Sequence, residues 1–308
     1  MFELILDETL KETTVHGSRE FPFEIYFGGV AMFAEGYLDW HWHDYFEINF
    51  VASGNLHYFI ENKEYFLQEG DAVFINSGRL HRGYSDNLTQ VSNTIVFDGT
   101  VFCEDTSSEW YSSLIQEFVH SDINGLILTP DIPWMKAVLD KLKAMYGDYQ
   151  KQNFASKLSV KGYLCTIFAE ILNNTAHTSC PTALNTEKMK RMRKLLSYIA
   201  QNYMNPITLT DLASAAGLSD AECSRFFSSQ MNQSPFSYLN QYRIERSCEL
   251  LVNTDLSISD IALRSGFNSF SYYGKRFREK MHCTPSEYRG KIWEAVKDYS
   301  ILLRKHFF

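Results

Sequence analysis

The 308-residue sequence predicts a two-domain protein, with an N-terminal all-β barrel followed by helices and a C-terminal all-α domain that contains two helix-turn-helix units. Three observations support this fold class. The chain is longer than the roughly 250–300 residues at which single hydrophobic cores stop growing. Short segments of alternating polarity fill residues 24–97, as expected of β-strands. A unit with helical periodicity occurs twice in the C-terminal third of the chain.

The composition limits the classes of function. With 45% hydrophobic and 21% charged residues, it is typical of a globular protein and excludes disorder of the whole chain. No apolar run approaches the roughly 18–20 residues that span a bilayer, and the acidic first residues are unlike a signal peptide. The six cysteines form no CxxC pair, which predicts reduced thiols. We therefore expect a cytoplasmic protein without a membrane partner.

The net charge of −8 is unevenly distributed along the chain. Residues 1–183 hold 11 Lys and Arg against 25 Asp and Glu, a net charge of −14. Residues 184–308 hold 18 Lys and Arg against 12 Asp and Glu, a net charge of +6. An acidic body joined to a basic C-terminal segment predicts that the second part meets phosphate groups and the first does not.

The first predicted domain, residues 1–106, contains the strands of a small β-barrel. Period-2 segments such as HWHDYFEINFVASG and DAVFINSGRLHRG are separated by Gly, Asn and Ser. Residues 55–60 and 65–67 form a predicted hairpin with its turn at residues 61–63.

Four side chains in this domain form a candidate chemical site. His41, His43 and Glu47 share odd parity, so one unbroken strand would point all three to the same face. His81 follows 34 residues after Glu47, behind a turn at Gly78. Histidine and carboxylate in this combination are ligands suited to Zn, Fe, Mn or Ni. A divalent metal is therefore a candidate cofactor at these four residues.

The spacing of these residues resembles the two cupin motifs. The resemblance covers about residues 21–98, with one residue fewer than usual before His41 and with Asn76 where the motif has proline. It implies either a metalloenzyme or, as in cupins fused to AraC-type DNA-binding domains, a sensor of sugars or other small molecules. Three interpretations stay open: a metal site, an organic effector site, and a purely structural polar core.

Helical periodicity follows the barrel. Residues 134–146 and 158–172 carry apolar stripes with a 3.6-residue period, so residues 107–172 form a predicted helical segment. The sequence does not show which of these apolar residues pack in the core of one chain and which contact a second subunit. Residues 173–184 are small, polar and proline-bearing, and we predict that they link the helical segment to an all-α domain at residues 185–308.

The C-terminal domain contains a duplicated unit. TLTDLASAAG at residues 208–217 recurs 49 residues later as SISDIALRSG at residues 257–266. Each copy predicts a helix that begins with a capping box containing Asp and ends at a glycine suited to a left-handed C-cap. The next helices begin near Ser219 and near residues 268–269. Each unit is thus a predicted helix-turn-helix, the arrangement that inserts its second helix into the DNA major groove.

A longer predicted helix separates the two units. It starts at Ser234-Pro235 and continues through Leu251. Roughly 18 residues at ~1.5 Å each give it a length of ~27 Å. Together with the flanking helices, such a spacer could hold the two reading helices about one ~34 Å DNA turn apart.

Residues about 187–290 resemble the C-terminal DNA-binding domain of the AraC-type transcriptional regulators, on the stretches LTDLASAAGLS, RFFSSQMNQSPFSYLNQYRIERSCELL and SISDIALRSGFNSFSYYGKRFREKMHCTPSEYR. The resemblance implies a bipartite reader of double-stranded promoter or operator DNA. It assigns the base-facing role to seven positions: Ala221, Ser224, Arg225, Phe270, Ser271, Tyr272 and Lys275. For Arg276 and Arg278 we predict phosphate contacts, given the side of the motif on which they lie.

The same resemblance has implications for the effector and for assembly. The family's inducer-covering arm corresponds to residues 21–26. The predicted effector-binding set is therefore His41, His43, Glu47, His81, Phe23 and Tyr26. The resemblance also implies a homodimer built on the helical segment, and contact with RNA polymerase if the protein is an activator.

The sequence thus predicts a transcription regulator, not an enzyme, that responds to a sugar or related metabolite, and we assign no catalytic residue. The alternative is a cupin metalloenzyme, an isomerase or dioxygenase with an ancillary helical domain. The duplicated unit disfavours this alternative because an enzyme has no need of two groove-spaced helices. A structural adaptor would explain neither the charge distribution nor the barrel histidines.

Overall fold

The computed structural model describes residues 4–30, 37–85, 90–175 and 183–290. Within these ranges, the N-terminal domain is a flattened β-barrel made of two antiparallel sheets. Five strands form one sheet in the order β1-β8-β3-β6-β9, and four form the other in the order β2-β7-β4-β5. The strands are β1 (Phe23–Gly28), β2 (Tyr37–His41), β3 (Phe46–Ser53), β4 (Asn55–Ile60), β5 (Lys63–Gln68), β6 (Ala72–Ile75), β7 (His81–Tyr84), β8 (Val91–Phe97) and β9 (Gly125–Leu128).

The alternating pattern produces two apolar layers. Along each strand, every second side chain points into the barrel, where Leu56, Tyr58 and Leu67 are fully buried. The opposite face of the five-stranded sheet carries Phe46 and Ile48, which are buried under helices. The predicted hairpin is confirmed as β4 and β5, although β5 begins at residue 63 and shortens the turn to residues 61–62.

The segment 107–172 is not helical throughout, because β9 lies within it and pairs with β6. Its apolar run GLIL extends the five-stranded sheet, so the β-structure continues beyond residue 106. Four helices occupy most of the remainder: α1 (Glu109–Tyr111), α2 (Glu117–Val119), α3 (Pro133–Gln150) and α4 (Phe154–Thr175), with a π-helical stretch, Ser112–Gln116, between the first two. None of the helices described is long and apolar enough to span a membrane.

Both ends of the predicted linker at 173–184 are helical. Helix α4 continues to residue 175, and α5 begins at residue 183. Residues 176–182 lie outside the described ranges.

Six helices form the C-terminal domain, and residues 285–290 are also helical. Both helix-turn-helix units are confirmed. The glycine after each first helix is left-handed, with φ of 67° at Gly217 and 83° at Gly266. Thr208 and Asp211 form a complete capping box, whereas at the second unit only the Ser257 side chain caps the helix. The helices are α5 (Ala183–Asn202), α6 (Leu209–Ala216), α7 (Asp220–Met231), α8 (Pro235–Asn253), α9 (Ile258–Arg264) and α10 (Phe270–Met281).

The two units have separate cores on either side of α8. The second core contains Ile261, Tyr273 and Phe277, without any barrel residue. The first core, around Phe227 on α7, continues into the N-terminal domain, which contributes three buried side chains: Leu10, Trp40 and Leu80. The first helix-turn-helix unit is therefore docked on the barrel, and the second is attached through α8.

Candidate metal centre and DNA-binding surface

Four buried side chains converge between the two sheets of the barrel. His41, His43, Glu47 and His81 are each at most 3% exposed. One potential ligand atom from each residue lies within 4.8 Å of all the others. The sequence analysis therefore identified a real cluster.

Backbone carbonyls determine which nitrogen of each imidazole carries the proton. In all three histidines, Nδ1 lies 2.8–3.1 Å from a carbonyl oxygen, those of Asp39, Tyr45 and Arg79. A carbonyl oxygen only accepts hydrogen bonds, so each Nδ1 donates. In the neutral ring, Nε2 then has a free lone pair. Metal-binding histidines typically donate their other ring N–H to a carbonyl oxygen in this way, which orients the ring and leaves Nε2 for the ion.

Glu47 completes the set of donor atoms. Its Oε1 accepts a 2.6 Å hydrogen bond from the Tyr58 hydroxyl, and its Oε2 lies 3.2 Å from His43 Nε2 and 3.5 Å from His81 Nε2. A carboxylate and a neutral Nε2 both accept, so they require a proton or a metal ion between them.

The electrostatics of the cluster favour a bound cation. Burial by itself raises the pKa of Glu47, but the adjacent imidazoles of His43 and His81 outweigh it and hold that pKa well below its usual range. Burial, followed by the charges of His81 and His43, lowers the pKa of His41 to about 3, so this ring stays neutral. Among the described residues, His81 Nε2 has no hydrogen-bond partner. Three imidazole nitrogens and a carboxylate oxygen fit a borderline divalent ion such as Zn²⁺, Fe²⁺, Mn²⁺ or Ni²⁺.

The condition attached to the shared parity, one unbroken strand through His41, His43 and Glu47, is not met. His41 ends β2 in one sheet, and Glu47 lies on β3 in the other. The register between β2 and β7 also shifts between Leu38 and His41. This irregularity breaks the strict alternation, so that His41 lies in the cluster while Asp39, which has the same parity, contacts the C-terminal domain.

The predicted effector-covering arm is instead a strand. Residues 23–28 form β1 and pair with β8, because their alternating apolar residues complete the five-stranded sheet. Phe23 is buried on the outer face of that sheet, next to Tyr149 of α3, and the structure does not bring it to the cluster. Tyr26 reaches the cluster only indirectly, since its hydroxyl lies 2.8 Å from Nδ1 of His16.

Sequence reasoning missed residues around the cluster. His16 is buried, lies 3.4 Å from Glu12 and stacks edge-on against Tyr45. Burial raises the pKa of Glu12, but a hydrogen bond from His16 and the charges of nearby histidines lower it below its usual value. Tyr58 was also missed, although a hydroxyl group among the apolar inward-facing residues of β4 was a usable signal. For His16 and Glu12, the sequence offered no signal beyond their residue types.

Asn76, which replaces the motif's proline, anchors a loop. Its buried side-chain amide donates to the carbonyl oxygens of Phe118 and Ile123 at 2.9 and 2.8 Å. Proline could make neither contact. The substitution therefore ties β6 to the segment that leads into β9.

The predicted base-facing residues lie on the second helix of each helix-turn-helix unit. Helix α7 carries Ala221, Ser224 and Arg225, of which the first and last are exposed. On α10, Phe270 and Tyr272 are 54% and 45% exposed, and the other two predicted positions, Ser271 and Lys275, are also exposed.

The two predicted phosphate contacts differ in their surroundings. Arg278 is exposed. Arg276 is partly buried, and its guanidinium donates a 2.9 Å hydrogen bond to Glu279. The other N–H groups of this guanidinium remain available for phosphate while one is bonded to Glu279.

A separate cavity of about 540 Å³ opens beside the barrel. It lies between the β4–β5 turn, the segment before β9 and the end of α4. Its lining combines apolar side chains with polar ones, which include Asn62, Lys63, Asn124 and Asn174, and it also contains Tyr65. None of the four cluster residues lines it.

Two family models match the chain. One, described as an AraC-like ligand binding domain, matches residues 27–108. The other, described as a helix-turn-helix domain, matches residues 212–291. The first match covers strands β2 to β8 and the cluster, and the second covers both reading helices.

Several known proteins are similar to this chain. The uncharacterised HTH-type transcriptional regulator YdeC of Bacillus subtilis (strain 168) is 29% identical over 290 residues, which cover 94% of this chain and 99% of that protein. The HTH-type transcriptional activator RhaR of Mannheimia succiniciproducens is 23% identical over 255 residues, which cover 82% and 87%. An HTH-type regulator of Staphylococcus aureus (strain COL) is 24% identical over 247 residues, and the match spans 31% of its length. The structure of ToxT from Vibrio cholerae aligns with 16% identity and a TM-score of 0.41, over 87% of this chain and 97% of that one.

These matches agree with the geometry of both halves. The cupin metalloenzyme alternative is supported by neither the family models nor the relatives. The chain is a DNA-binding transcriptional regulator that combines an AraC-like ligand-binding domain with an AraC-type helix-turn-helix domain.

Proposed function

We propose that this protein regulates transcription by reading operator DNA with α7 and α10, under the control of a divalent metal ion bound in the barrel. One observation carries the metal assignment: donor atoms of His41, His43, Glu47 and His81 lie within 4.8 Å of one another in a buried site. That space suits one ion and is too small for a sugar ring. A bound ion would join β2, β3 and β7, because its ligands come from these strands and the turn between them.

The chemistry of the exposed reading-helix residues supports sequence-specific readout. Arg225 can pair bidentately with guanine, and Lys275 can reach guanine or phosphate. Ser224 and Ser271 can bond base edges or the backbone, and Tyr272 can do so through its hydroxyl. The remaining two positions, Ala221 and Phe270, offer only apolar contact, for instance with a thymine methyl group. Phosphate contacts by Arg276 and Arg278 would position the helices.

The separate cavity supports a second candidate effector, a sugar or related polyol. Its volume of about 540 Å³ is within the range of small-molecule sites. Amide groups of Asn62, Asn124 and Asn174 can hydrogen-bond hydroxyl groups, and the Tyr65 ring offers an apolar face. Such a ligand would contact the end of α4, next to the segment that leads to the C-terminal domain.

The surface of α4 supports a homodimer. Its outward face carries uncharged residues at helical spacing, namely Ala155, Leu158, Gly162, Cys165 and Ala169, which are all exposed. The outward face of α3 instead carries Lys136, Asp140 and Lys143. Small apolar side chains allow close helix packing between subunits, whereas the charged face of α3 is suited to water. We therefore propose α4 as the subunit contact.

A regulator of this kind acts where the chromosome is, so we propose a cytoplasmic location. Contact with RNA polymerase follows if the protein activates transcription.

The experiment uses the full-length chain freed of metal. Operator DNA is selected from a random duplex pool, and DNA affinity is then titrated with and without Zn²⁺, Mn²⁺, Fe²⁺ or Ni²⁺. We expect DNA binding that weakens steeply with salt, because phosphate contacts release counterions. We also expect one tightly bound ion per chain and a metal-dependent change in DNA affinity. Failure to select any DNA at low salt contradicts the operator reading, and absence of metal binding contradicts the metal assignment. Stabilisation by a sugar in a thermal-shift panel would instead favour the polyol.

A further inference from the structure

The barrel holds α8, the helix that joins the two helix-turn-helix units, through a buried ionic network. Arg82 on β7 donates to both carboxylate oxygens of Glu245 on α8, at 3.0 and 3.3 Å. These two residues are 4% and 8% exposed. Arg246, the next residue on α8, forms an ion pair with Asp39 on β2. We call this set of contacts, together with the Tyr37 contact below, the α8 clamp.

The clamp extends one turn further along the helix. The Tyr37 hydroxyl donates a 3.0 Å hydrogen bond to Glu249, and Arg246 bonds the same carboxylate at 2.7 Å. The Arg82 guanidinium also lies 5.8 Å from the Tyr37 ring centre and 5.9 Å from that of Trp40. The network therefore contains two arginines, one from each domain, and both are enclosed by acids and aromatic rings.

A buried ion pair of this kind specifies a geometry without adding much free energy. The cost of taking both charges out of water largely offsets their attraction. When the domains separate, Arg82 and Glu245 regain water, so this ion pair adds little net free energy to the docked state. A contact with that property suits a reversible switch better than a permanent domain interface.

Docking also affects how the basic domain meets DNA. The segment 184–308, with a net charge of +6, packs against a body with a net charge of −14. The barrel engages two arginines of the basic domain: Arg246 in the clamp, and Arg193, which stacks 3.6 Å over Trp42 and donates to the Gly78 carbonyl oxygen. An acidic surface next to the DNA-binding domain repels phosphate within about one Debye length, ~8 Å at physiological salt.

We propose that the α8 clamp is an autoinhibitory contact: while it is closed, the barrel restrains the spacer helix and lowers the affinity of the reading helices for DNA. Its opening frees α8 and moves the basic domain away from the acidic barrel.

The clamp is adjacent to the metal cluster on the same two strands. Asp39 precedes His41 by two residues, and the His41 ring bonds the Asp39 carbonyl oxygen at 2.8 Å. His81 directly precedes Arg82, and His41 pairs with His81 across β2 and β7. The irregular register of β2 directs Asp39 to α8 and His41 to the cluster. Binding of a metal ion in the cluster can therefore change the contacts of α8 through β2 and β7. This step rests on the proposed metal site.

The test measures DNA affinity of the full-length chain without added metal. Arg82→Met removes a positive charge from the protein, which by itself weakens DNA binding. If the clamp is autoinhibitory, the variant instead binds operator DNA several-fold more tightly, because unpaired Glu245 no longer tolerates burial and the domains separate. Small-angle scattering should show a larger radius of gyration for this variant.

A paired variant and two controls make the outcome decisive. Arg82→Met combined with Glu245→Met keeps the net charge and replaces the ion pair with an apolar contact, so it should restore docking and the original DNA affinity. Lys141→Met removes one charge from the same domain at a distant pair with Glu170, 3.6 Å apart, and should not raise DNA affinity. Tyr37→Phe, which alters no charge, should raise DNA affinity slightly and serves if Arg82→Met fails to fold.

Equal or weaker DNA binding by both Arg82→Met and Tyr37→Phe would overturn the proposal. So would a paired variant that binds DNA as tightly as Arg82→Met. A second titration with Zn²⁺ tests the link to the cluster: the metal should shift the DNA affinity of the wild type and not that of Arg82→Met. Lack of Zn²⁺ binding by the wild type would contradict the metal site and leave the metal-free test of the clamp intact.

Discussion

The barrel cluster shows how far individual residue types predict chemistry. Histidine and glutamate at cupin-like spacing indicated a metal or effector site, and the structure brings all four side chains together in a buried region. The identification of the free lone pairs required tertiary structure, because each depends on a hydrogen bond to a backbone carbonyl. The same holds for Tyr58, which is contributed by a different strand.

The first prediction concerns His43 and Glu47. Replacing both with alanine removes two donor atoms and should abolish tight metal binding and the effector response. Basal DNA affinity should remain, because neither residue contacts the C-terminal domain. The measurements are metal content by elemental analysis and DNA titration with and without Zn²⁺. Retention of one tightly bound ion per chain would show that the ion binds outside the cluster and would contradict the metal assignment.

The second prediction separates two arginines of the reading surface. Arg225→Ala should cost about 1–3 kcal/mol and relax specificity at one base pair, because a bidentate guanine contact is lost. Arg278→Ala should weaken binding to all sequences alike and reduce the salt dependence by about one counterion. The effects of both variants are measured as DNA affinities, at several salt concentrations, on operators that carry single base-pair changes. Identical behaviour of the two variants would contradict the assigned roles.

At the scale of the element, the two turns differ although their sequences repeat. A Cβ atom at residue 217 would meet nothing within 4 Å, whereas one at residue 266 would lie 2.3 Å from the Tyr203 carbonyl oxygen and 2.7 Å from Nε of Arg243. These two groups already share a 2.7 Å hydrogen bond. The second turn therefore lies close to α8 and to the end of α5, and the first does not.

The third prediction follows from that difference. Gly217→Ala should lower the free energy of unfolding by roughly 1–2 kcal/mol, the cost of a left-handed conformation for a residue with a Cβ atom. Gly266→Ala should cost more, because it adds a clash with backbone to the same conformational cost. Denaturant unfolding of the two variants measures both values. Equal losses would indicate that the Tyr203–Arg243 contact moves aside freely.

At the scale of the whole molecule, the structure shows which apolar residues of α3 and α4 belong to the core and which are exposed. Nearly every apolar residue of the two predicted stripes is buried against the sheet, and the exception is Leu158, which is 75% exposed. A large apolar side chain on an otherwise small and uncharged helix face is typical of a protein interface.

The fourth prediction tests that face. Leu158→Asp should convert a dimer to monomers without lowering the melting temperature, since the residue is largely solvated within one chain. Lys136→Asp, on the charged face of α3, is the matched control and should leave the dimer intact. Analytical ultracentrifugation gives the masses. A dimer that persists in Leu158→Asp would exclude α4 as the contact.

The local rules of the chain were enough to predict both helix-turn-helix units, most barrel strands and the four members of the barrel cluster. Capping residues, glycine positions and the two apolar periods act over a few neighbouring residues, and they are legible in the sequence for that reason. Charge counts likewise predicted which half meets DNA.

Only the tertiary structure decided the contacts between distant segments. It assigned residues 23–28 to a strand and not to an effector-covering arm, because β8 supplies the backbone hydrogen-bond partners of these residues. It extended the barrel with β9, and it placed His16 and Glu12 next to the cluster. The α8 clamp joins residues more than 160 positions apart, and its partners are chosen by docking geometry and by the irregular register of β2. Such contacts leave no periodic trace, since no local conformational preference requires Arg82 to meet Glu245.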